Sequence, residues 1–328
     1  MEKKVWKIKK GFILSCLFLF LIPTLSSGQE YPTKPVNLIV NFPPGGTTDL
    51  STRSLAIKAE KFLGQPLIIS NVGGGGGSVG LGVAAKEKPD GYHIVSCSSM
   101  GLTWHPHLRP LPYSYQDFVY VLNFVKSQTG IVVKSDAPWK TFNELVEYAK
   151  KNPGKVTYST VGAYSPAHVF TEYFGKKEGI QWTHIPQKGG SPSIIALLGG
   201  HVTFYNGSEE WVPYVRSGEF RLLVTWGEKR MKAFPNMPNM RDLGHDLVNE
   251  SKFLVAAPKG TPSIMIKRLE EAFRKAIDEP EFTQAIAKLE MEPYYLSPKD
   301  TEKFVEGTFN YYKKLLTELN LIKEPEKK

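Results

Sequence analysis

Short apolar runs alternate along the chain with longer stretches in which apolar residues recur every three or four positions. The runs at 36–42, 67–70, 93–97, 118–124, 130–133, 156–159, 182–185, 202–205, 220–225 and 253–257 have the length of strands. The longer stretches at 49–63, 80–86, 141–150, 167–177, 191–198, 211–217, 262–278, 280–288 and 298–319 predict helices. Thr141 and Glu144 have the spacing of a capping box, and Thr261-Pro262 puts a proline at a helix's first turn. This alternation predicts an α/β protein built on open parallel sheets. No repeat, coiled coil or low-complexity segment interrupts it before the charged tail at 323–328.

The first residues follow a different pattern. Lys3, Lys4, Lys7, Lys9 and Lys10 precede an apolar core at 12–22, and Pro23, Ser26, Ser27 and Gly28 follow it, which is the layout of a secretory signal. The core is roughly half the ~20 residues a spanning helix needs, so residues 1–28 are read as a cleaved leader. Cys16 lies too early in the core to be a lipid-attachment site. The formal charge of +9 falls to +5 once the leader's five lysines and one glutamate are removed. Lysine and arginine then stand among acids along helical stretches such as 267–281, a pattern of solvated faces, and no nucleic acid is expected as a partner. Cys97 is the one cysteine left, which excludes an intramolecular disulfide and suits a small buried hydrophobe. The mature chain is long enough for two domains with their own cores.

Candidate chemistry concentrates in two glycine-rich turns, Pro43-Pro44-Gly45-Gly46-Thr47-Thr48-Asp49 and Asn71 through Gly80 with its five consecutive glycines. Each follows an expected strand and opens an expected helix, so each offers unpaired backbone N–H groups to an anion. Gly75-x-Gly77-x-x-Gly80 also fits the dinucleotide fingerprint, but no acidic residue ends the next strand. Gly76-Gly77-Ser78-Val79-Gly80 fits the nucleophile elbow, which makes a secreted serine esterase using Ser78 the alternative function. That enzyme requires a late histidine, and none of the seven lies after His245. His105 and His107 flank Pro106 without a third metal ligand and are read as surface residues. A purely structural envelope protein has no use for two anion cradles.

A series of motifs then narrows the reading. They are Tyr31-Pro-Thr-Lys-Pro-Val, Pro43-Pro44-Gly45-Gly46 with Asp49 and Arg53, Asn71 with its glycines, Pro89-Asp90-Gly91-Tyr92, and the stretch 145–154. Lys188-Gly189-Gly190, Leu197-Leu198-Gly199-Gly200-His201-Val202 and Ala257-Pro258-Lys259-Gly260-Thr261-Pro262 complete the series. In this order and spacing the chain resembles, nearly end to end, the solute-binding receptors of tripartite tricarboxylate transporters, the TctC or Bug family. The resemblance implies a periplasmic-binding-protein-like, type II-like fold, with two α/β lobes and a ligand cleft between them. It sets the crossings between lobes near 124–131 and 250–253, so that 29–124 plus 253–328 form one lobe and 125–252 the other. It implies a periplasmic receptor, not an enzyme, that captures a small di- or tricarboxylate or related organic acid for membrane subunits of the TctA and TctB kind. No cofactor and no metal are expected, and the receptor is expected to be a monomer.

Family members hold a ligand carboxylate with main-chain N–H groups, hydroxyls and water, and the resemblance carries that role to Pro44, Gly45, Gly46, Thr47 and Thr48. On the opposite lobe it falls to Thr160, Gly162, Ala163, Ser165 and His168, a turn whose plainer reading is a helix cap. Asp49 is read as an N-cap or interlobe acceptor, because a carboxylate beside a bound anion repels it. Ser98 and Ser99 end a strand at the edge where open α/β sheets take ligands. The chain departs from the family at Gln187, usually Tyr, and at Thr203, usually Asp, which suggests an altered pocket wall. Asn206 and Glu209 are the substitutes at hand; a buried Glu209 calls for an amino or cationic group on the ligand, although both also fit solvated loop positions.

Overall fold

A computed structural model of the chain describes residues 31–187 and 189–322. The expected leader at 1–28, the tail at 323–328 and Lys188 of the glycine-adjacent motif lie outside the described residues. The first part of the chain runs β1 (Val36–Val40), α1 (Thr47–Leu63), β2 (Leu67–Asn71), α2 (Ser78–Ala84), β3 (His93–Ser98), α3 (Met100–Thr103), α4 (His105–Leu108) and β4 (Phe118–Gln128). The middle part runs β5 (Gly130–Lys134), α5 (Phe142–Lys151), β6 (Thr157–Ser159), α6 (Pro166–Glu178), β7 (Thr183–His184), α7 (Gly190–Leu198), β8 (Phe204–Gly207), α8 (Val212–Ser217) and β9 (Phe220–Thr225). The last part adds β10 (Glu250–Pro258), α9 (Ser263–Ile277), α10 (Pro280–Lys288), β11 (Glu292–Leu296) and α11 (Pro298–Glu318).

Each expected strand and helix is present, with ends displaced by a few residues. The sequence reading missed β11, whose five residues, Pro293 among them, are all half-buried and show no alternation; it is an edge strand, the place a sheet tolerates proline. It also missed α3 and α4, which at four residues each are too short to show a period. The cap of α5 is one-sided: Thr141 Oγ1 accepts from Glu144 N at 3.2 Å, whereas the Glu144 carboxylate accepts from Lys140 N at 2.6 Å.

The sheets are mixed rather than parallel. One has the order β11-β4-β10-β3-β1-β2 and the other β7-β6-β8-β5-β9. In the first, β1 lies parallel to β2 and β3, while β10 runs antiparallel to β3 and β4 and β11 runs antiparallel to β4. In the second, β6 lies parallel to β7 and β8, while β5 runs antiparallel to β8 and β9. The antiparallel members follow from the chain path, since one strand must leave the first sheet and another must return. β4 leaves and β10 returns beside it, paired from Phe118↔Pro258 to Gln128↔Glu250. Thr129 joins β4 to β5 and fastens both passages: its carbonyl accepts from Trp226 N at 2.9 Å and its hydroxyl from Asn249 Nδ2 at 3.1 Å.

Each sheet has its own core. Leu38, Ile94, Phe124, Phe253 and Phe273 anchor one, while Tyr158, Phe170, Phe174 and Trp226 anchor the other. Cys97 is buried among aliphatic and aromatic side chains, as expected. The stretch 253–328, assigned above to the first lobe, is shared at its end. Val305 of α11 packs in the first lobe, but Tyr312, Leu315 and Leu316 join the core of the second, together with Trp104 from the first. Trp104 stands edge-on to Tyr312 at 4.9 Å and its Nε1–H donates to the Tyr164 carbonyl at 3.0 Å, so the lobes are packed together on this side.

Gly80 lets α2 lie directly on the backbone of β1 and of the β2 exit. A β-carbon there would sit 2.5 Å from Val72 O and 2.8 Å from Asn41 Cα. Backbone cannot yield as a side-chain tip can, so Gly80→Ala is expected to cost about 1–3 kcal/mol, read as a lower urea midpoint.

Candidate ligand cleft

Strand direction decides which loops meet. The carboxyl ends of β1, β2 and β3 lie at one edge, where Ser98 pairs with Phe253 of the returning strand. In the other sheet β6 and β8 end beside the crossing too, with Gly207 opposite Gly130. The loops leaving these ends, at 41–47, 98–99, 160–165 and 207–210, therefore border one cleft at the crossing, where open α/β sheets take ligands.

The first loop is built as a donor. Gly46 is the N-cap of α1 and offers no side chain, so the first N–H groups of this 17-residue helix have no side-chain cap. Gly45 takes φ +83°, a left-handed turn that glycine adopts at no steric cost. Pro44, Gly45, Gly46 and Thr47 are exposed, while Thr48 is buried, its carbonyl accepting from Ser51 Oγ at 3.2 Å and Thr52 Oγ1 at 2.6 Å. Asp49 corrects the expectation, being neither an N-cap nor an interlobe acceptor. Its buried carboxylate accepts from Gly45 N at 2.9 Å, Arg53 Nε at 2.9 Å and Asn71 Nδ2 at 2.8 Å, bracing the loop from behind. Burial works against its charge, but the hydrogen bonds from Arg53, Gly45 and Asn71 hold the carboxyl below the usual range.

The second glycine run, exposed from Gly73 to Gly76, is folded partly onto itself. Gly77 N and Val79 N turn back onto Gly74 O, and the run points carbonyls at its neighbours: Gly75 O accepts from Ser78 Oγ and Arg109, Gly77 O from Asn41 Nδ2. Its glycines serve close packing, since a β-carbon on Gly76 would strike the His105 ring and one on Gly77 would strike the Asn41 amide. Ser78 is hydrogen-bonded to Gly75 O and Arg109, and among the described residues no histidine or carboxylate bonds to it, so the elbow has no base. His105 and His107 are half-buried rather than surface residues. Burial, with Arg109 nearby, lowers the His105 ring to about 4, and His107 bonds Phe309 O at 2.9 Å. Among the described residues no cluster suits a metal ion.

The second lobe spends its side chains on holding its own loop. Thr160 Oγ1 donates to Gly162 O at 2.9 Å and lies 2.9 Å from His184 Nε2. Ser165 caps α6 through His168 N at 3.3 Å, and His168 Nδ1 accepts from Tyr164 N at 3.0 Å while its ring stacks on His184 at 4.0 Å. Gly162, Ala163 and the exposed Tyr164 ring are left toward solvent. Ser98 and Ser99 lie at the crossing but are buried, Ser98 Oγ 2.7 Å from Ser251 Oγ and Ser99 Oγ accepting from Lys252 N at 3.1 Å.

Two readings of the departures change. Thr203 precedes β8, at the end of the sheet away from the crossing, where it pairs with Thr157; this position is no pocket wall. Gln187 does adjoin the cleft, its N–H donating to Thr160 O at 3.1 Å. Asn206 and Glu209 are buried, not solvated. Asn206 Nδ2 donates to Ala167 O at 3.3 Å and Thr171 Oγ1 at 2.9 Å, leaving Oδ1 without a donor. Glu209 accepts from Ser127 Oγ at 2.6 Å and Gln128 N at 2.7 Å, which ties the end of β8 to the crossing. Sequence reasoning missed Glu210, bonded by the buried Tyr205 hydroxyl, and Trp104; their roles depend on what surrounds them, and nothing in their spacing marks it.

Comparison with known proteins agrees with this fold. The model of the tripartite tricarboxylate transporter family receptor matches residues 51–321. The chain is 38% identical over 310 residues to the UPF0065 protein in the gbd 5' region of Cupriavidus necator, covering 94% of each. It superposes with TM-score 0.78 on a TctC solute-binding protein from Polaromonas solved without ligand, at 28% identity over 88% of this chain and 99% of that one. A protein of R. palustris solved with adipate gives TM-score 0.76 and 27% identity over 88% and 97%.

Burial pushes the Glu209 carboxyl up to about 8, against the pull of its bonds from Ser127 and Gln128. Between the ordinary carboxylate range near 4.5 and pH 8 the folded protein therefore holds a proton that the unfolded chain has released, and stability falls as pH rises through that window. Glu209→Gln is expected to lose less stability than the parent between pH 5 and 8, measured as urea midpoints at each pH.

Proposed function

This chain belongs to the tripartite tricarboxylate transporter receptor family, and from that premise we propose that it captures a small organic carboxylate between its lobes for delivery to a membrane transporter. The family is one of periplasmic solute-binding receptors. The observation that carries the proposal is the exposed start of α1, uncapped by any side chain and braced by the buried Asp49. A carboxylate set there receives N–H hydrogen bonds and the favourable end of the helix dipole, with no lysine or arginine needed. Hydrogen bonds to a charged group contribute about 1.5–3 kcal/mol each, enough for reversible capture from a few donors. Asp49 does not oppose the anion, because its charge is already shared by Arg53, Asn71 and Gly45.

The 160–168 loop supplies the opposing wall. One small molecule touches both walls only when the lobes close, and the paired passages at 128–130 and 249–250 are the hinge that permits it. Residues 1–28 direct export and are removed, the mature receptor works as a monomer, and membrane subunits of the TctA and TctB kind accept its ligand. It binds and releases without chemistry. Supporting this, among the described residues no histidine or carboxylate bonds to Ser78.

Gly46→Val tests the cradle. Gly46 has φ −78°, and a β-carbon there would meet only Pro43 O, at 3.7 Å, so valine is accommodated and the fold is retained. Its methyl groups cover the helix start, and affinity for a carboxylate panel is expected to fall at least tenfold by calorimetry; an unchanged affinity places the site elsewhere. Closure predicts a smaller radius of gyration in scattering with saturating ligand than without. A constant radius argues against the hinge.

A further inference from the structure

Tyr164 is the residue on which the second wall of the cleft is held. It takes φ +60°, the left-handed region that residues other than glycine seldom enter, in the loop between β6 and α6. Two hydrogen bonds keep it there: its N–H donates to His168 Nδ1 at 3.0 Å, and its carbonyl accepts from Trp104 Nε1 of the first lobe at 3.0 Å. Strain of this kind persists only where surrounding contacts over-determine it. One of these two contacts can be removed by a proton.

His168 accepts at Nδ1, so that nitrogen carries no hydrogen and the ring is neutral, with its proton on Nε2. An imidazolium donates from both nitrogens, and at Nδ1 it sets an N–H against the N–H of Tyr164. The surroundings oppose that proton as well. The ring is half-buried and lies 4.0 Å from His184, nearly parallel to it, and His184 in turn stacks on Tyr158 at 4.7 Å. His184 Nε2 is 2.9 Å from Thr160 Oγ1, so the stacked pair supports the same loop at both ends. The titratable groups around the pair are Tyr158 on β6, Tyr164 in the loop and Glu172 one turn along α6. Glu172 is bonded by the Tyr158 hydroxyl, and burial pushes its carboxyl above the ordinary range. Among the described residues neither ring forms an ion pair.

We propose that His168 is a proton-operated clamp on the cleft: when the medium acidifies, a proton on Nδ1 frees Tyr164, the 160–165 loop loses its order, and the second wall loosens. The clamp stands on these contacts alone; its consequence, weaker capture in acid, rests on the carboxylate reading proposed above. Burial holds both rings below the usual 6.5, and His184, with His168 beside it, is lowered to about 4. A freed loop exposes rings that titrate near 6.5, so it takes up protons that the clamped loop refuses. Loop order is therefore complete above pH 6.5 and is lost as pH falls from there toward 4.

The test reads Tyr164 directly in the purified mature protein without ligand. Amide hydrogen exchange at pH 7.5 and 5.0, each corrected for the intrinsic rate at that pH, is expected to show opening of the Tyr164 N–H rising at least tenfold in acid. The amides of β5, paired on both sides, are expected to keep their protection. In His168→Asn, Oδ1 stands where Nδ1 stood and accepts without titrating, so the acid opening at Tyr164 is expected to disappear. An NMR titration of the wild-type imidazole protons needs no variant, and His168 is expected to titrate in step with the opening of Tyr164. With adipate as probe, the wild-type affinity divided by that of His168→Asn, a ratio in which the ligand's own ionisation cancels, is expected to fall at least tenfold from pH 7.5 to 5.0. Equal opening of Tyr164 at the two pH values overturns the inference, as does a wild-type His168 that titrates while Tyr164 stays closed, or acid opening that persists in a folded His168→Asn. All three outcomes leave carboxylate capture standing. Gly46→Val binding a carboxylate panel as the wild type does overturns capture instead and leaves the clamp in place.

Discussion

The antiparallel pairing of β4 with β10 is the constraint on which everything else rests. Eleven residues of β4 carry the chain out of one sheet, and nine residues of β10 bring it back along the same line. Because the passages are hydrogen-bonded to each other, the two lobes cannot drift apart. The passages meet at a short segment in which Thr129, Trp226 and Asn249 hold the strands in register. The carboxyl ends of the parallel strands in both sheets face this segment, and that placement creates the cleft.

Contacts between the lobes flank the passages on both sides. On one side Trp104 and the last turns of α11 are packed in the second lobe's core, and truncating a buried tryptophan costs about 3–5 kcal/mol, so this contact is not one that thermal motion breaks. On the other side Arg216 pairs with Glu290, and Lys232 Nζ lies 3.4 Å from Glu292, where solvent weakens the attraction. The contacts between the lobes are therefore firm on the apolar flank and weak on the ionic one.

Polar burial follows a different logic in each lobe. Asp49 is buried yet charged because three donors reach it, from the loop before α1, from α1 itself and from the end of β2. Glu209 is buried with two neutral donors, so burial prevails and the proton stays on through neutral pH. A buried carboxyl thus acts as a charged brace in one wall, at Asp49, and as a largely protonated link in the other, at Glu209. The number and charge of donors within reach decide which.

Much of the architecture was legible in the chain. Apolar runs of strand length, amphipathic stretches and turn residues at their ends located nearly every element, because period and capping are local properties. The uncapped start of α1 was legible for the same reason, since Gly45 and Gly46 ahead of the helix offer no side-chain acceptor to its first N–H groups. What the chain could not display was partnership. The two glycine runs look alike in sequence and both are largely exposed, yet one leads straight into the 17-residue α1 while the other is folded against Asn41, His105 and Arg109, residues brought there from elsewhere in the chain. Pro293 hid an edge strand that exists only because β4 lies beside it. Whether Asp49 meets the ligand or braces a loop, and whether Glu209 and Glu210 are solvated or buried, depended on long-range packing. Burial and charge belong to the surroundings of a side chain, and only the tertiary structure assembles those.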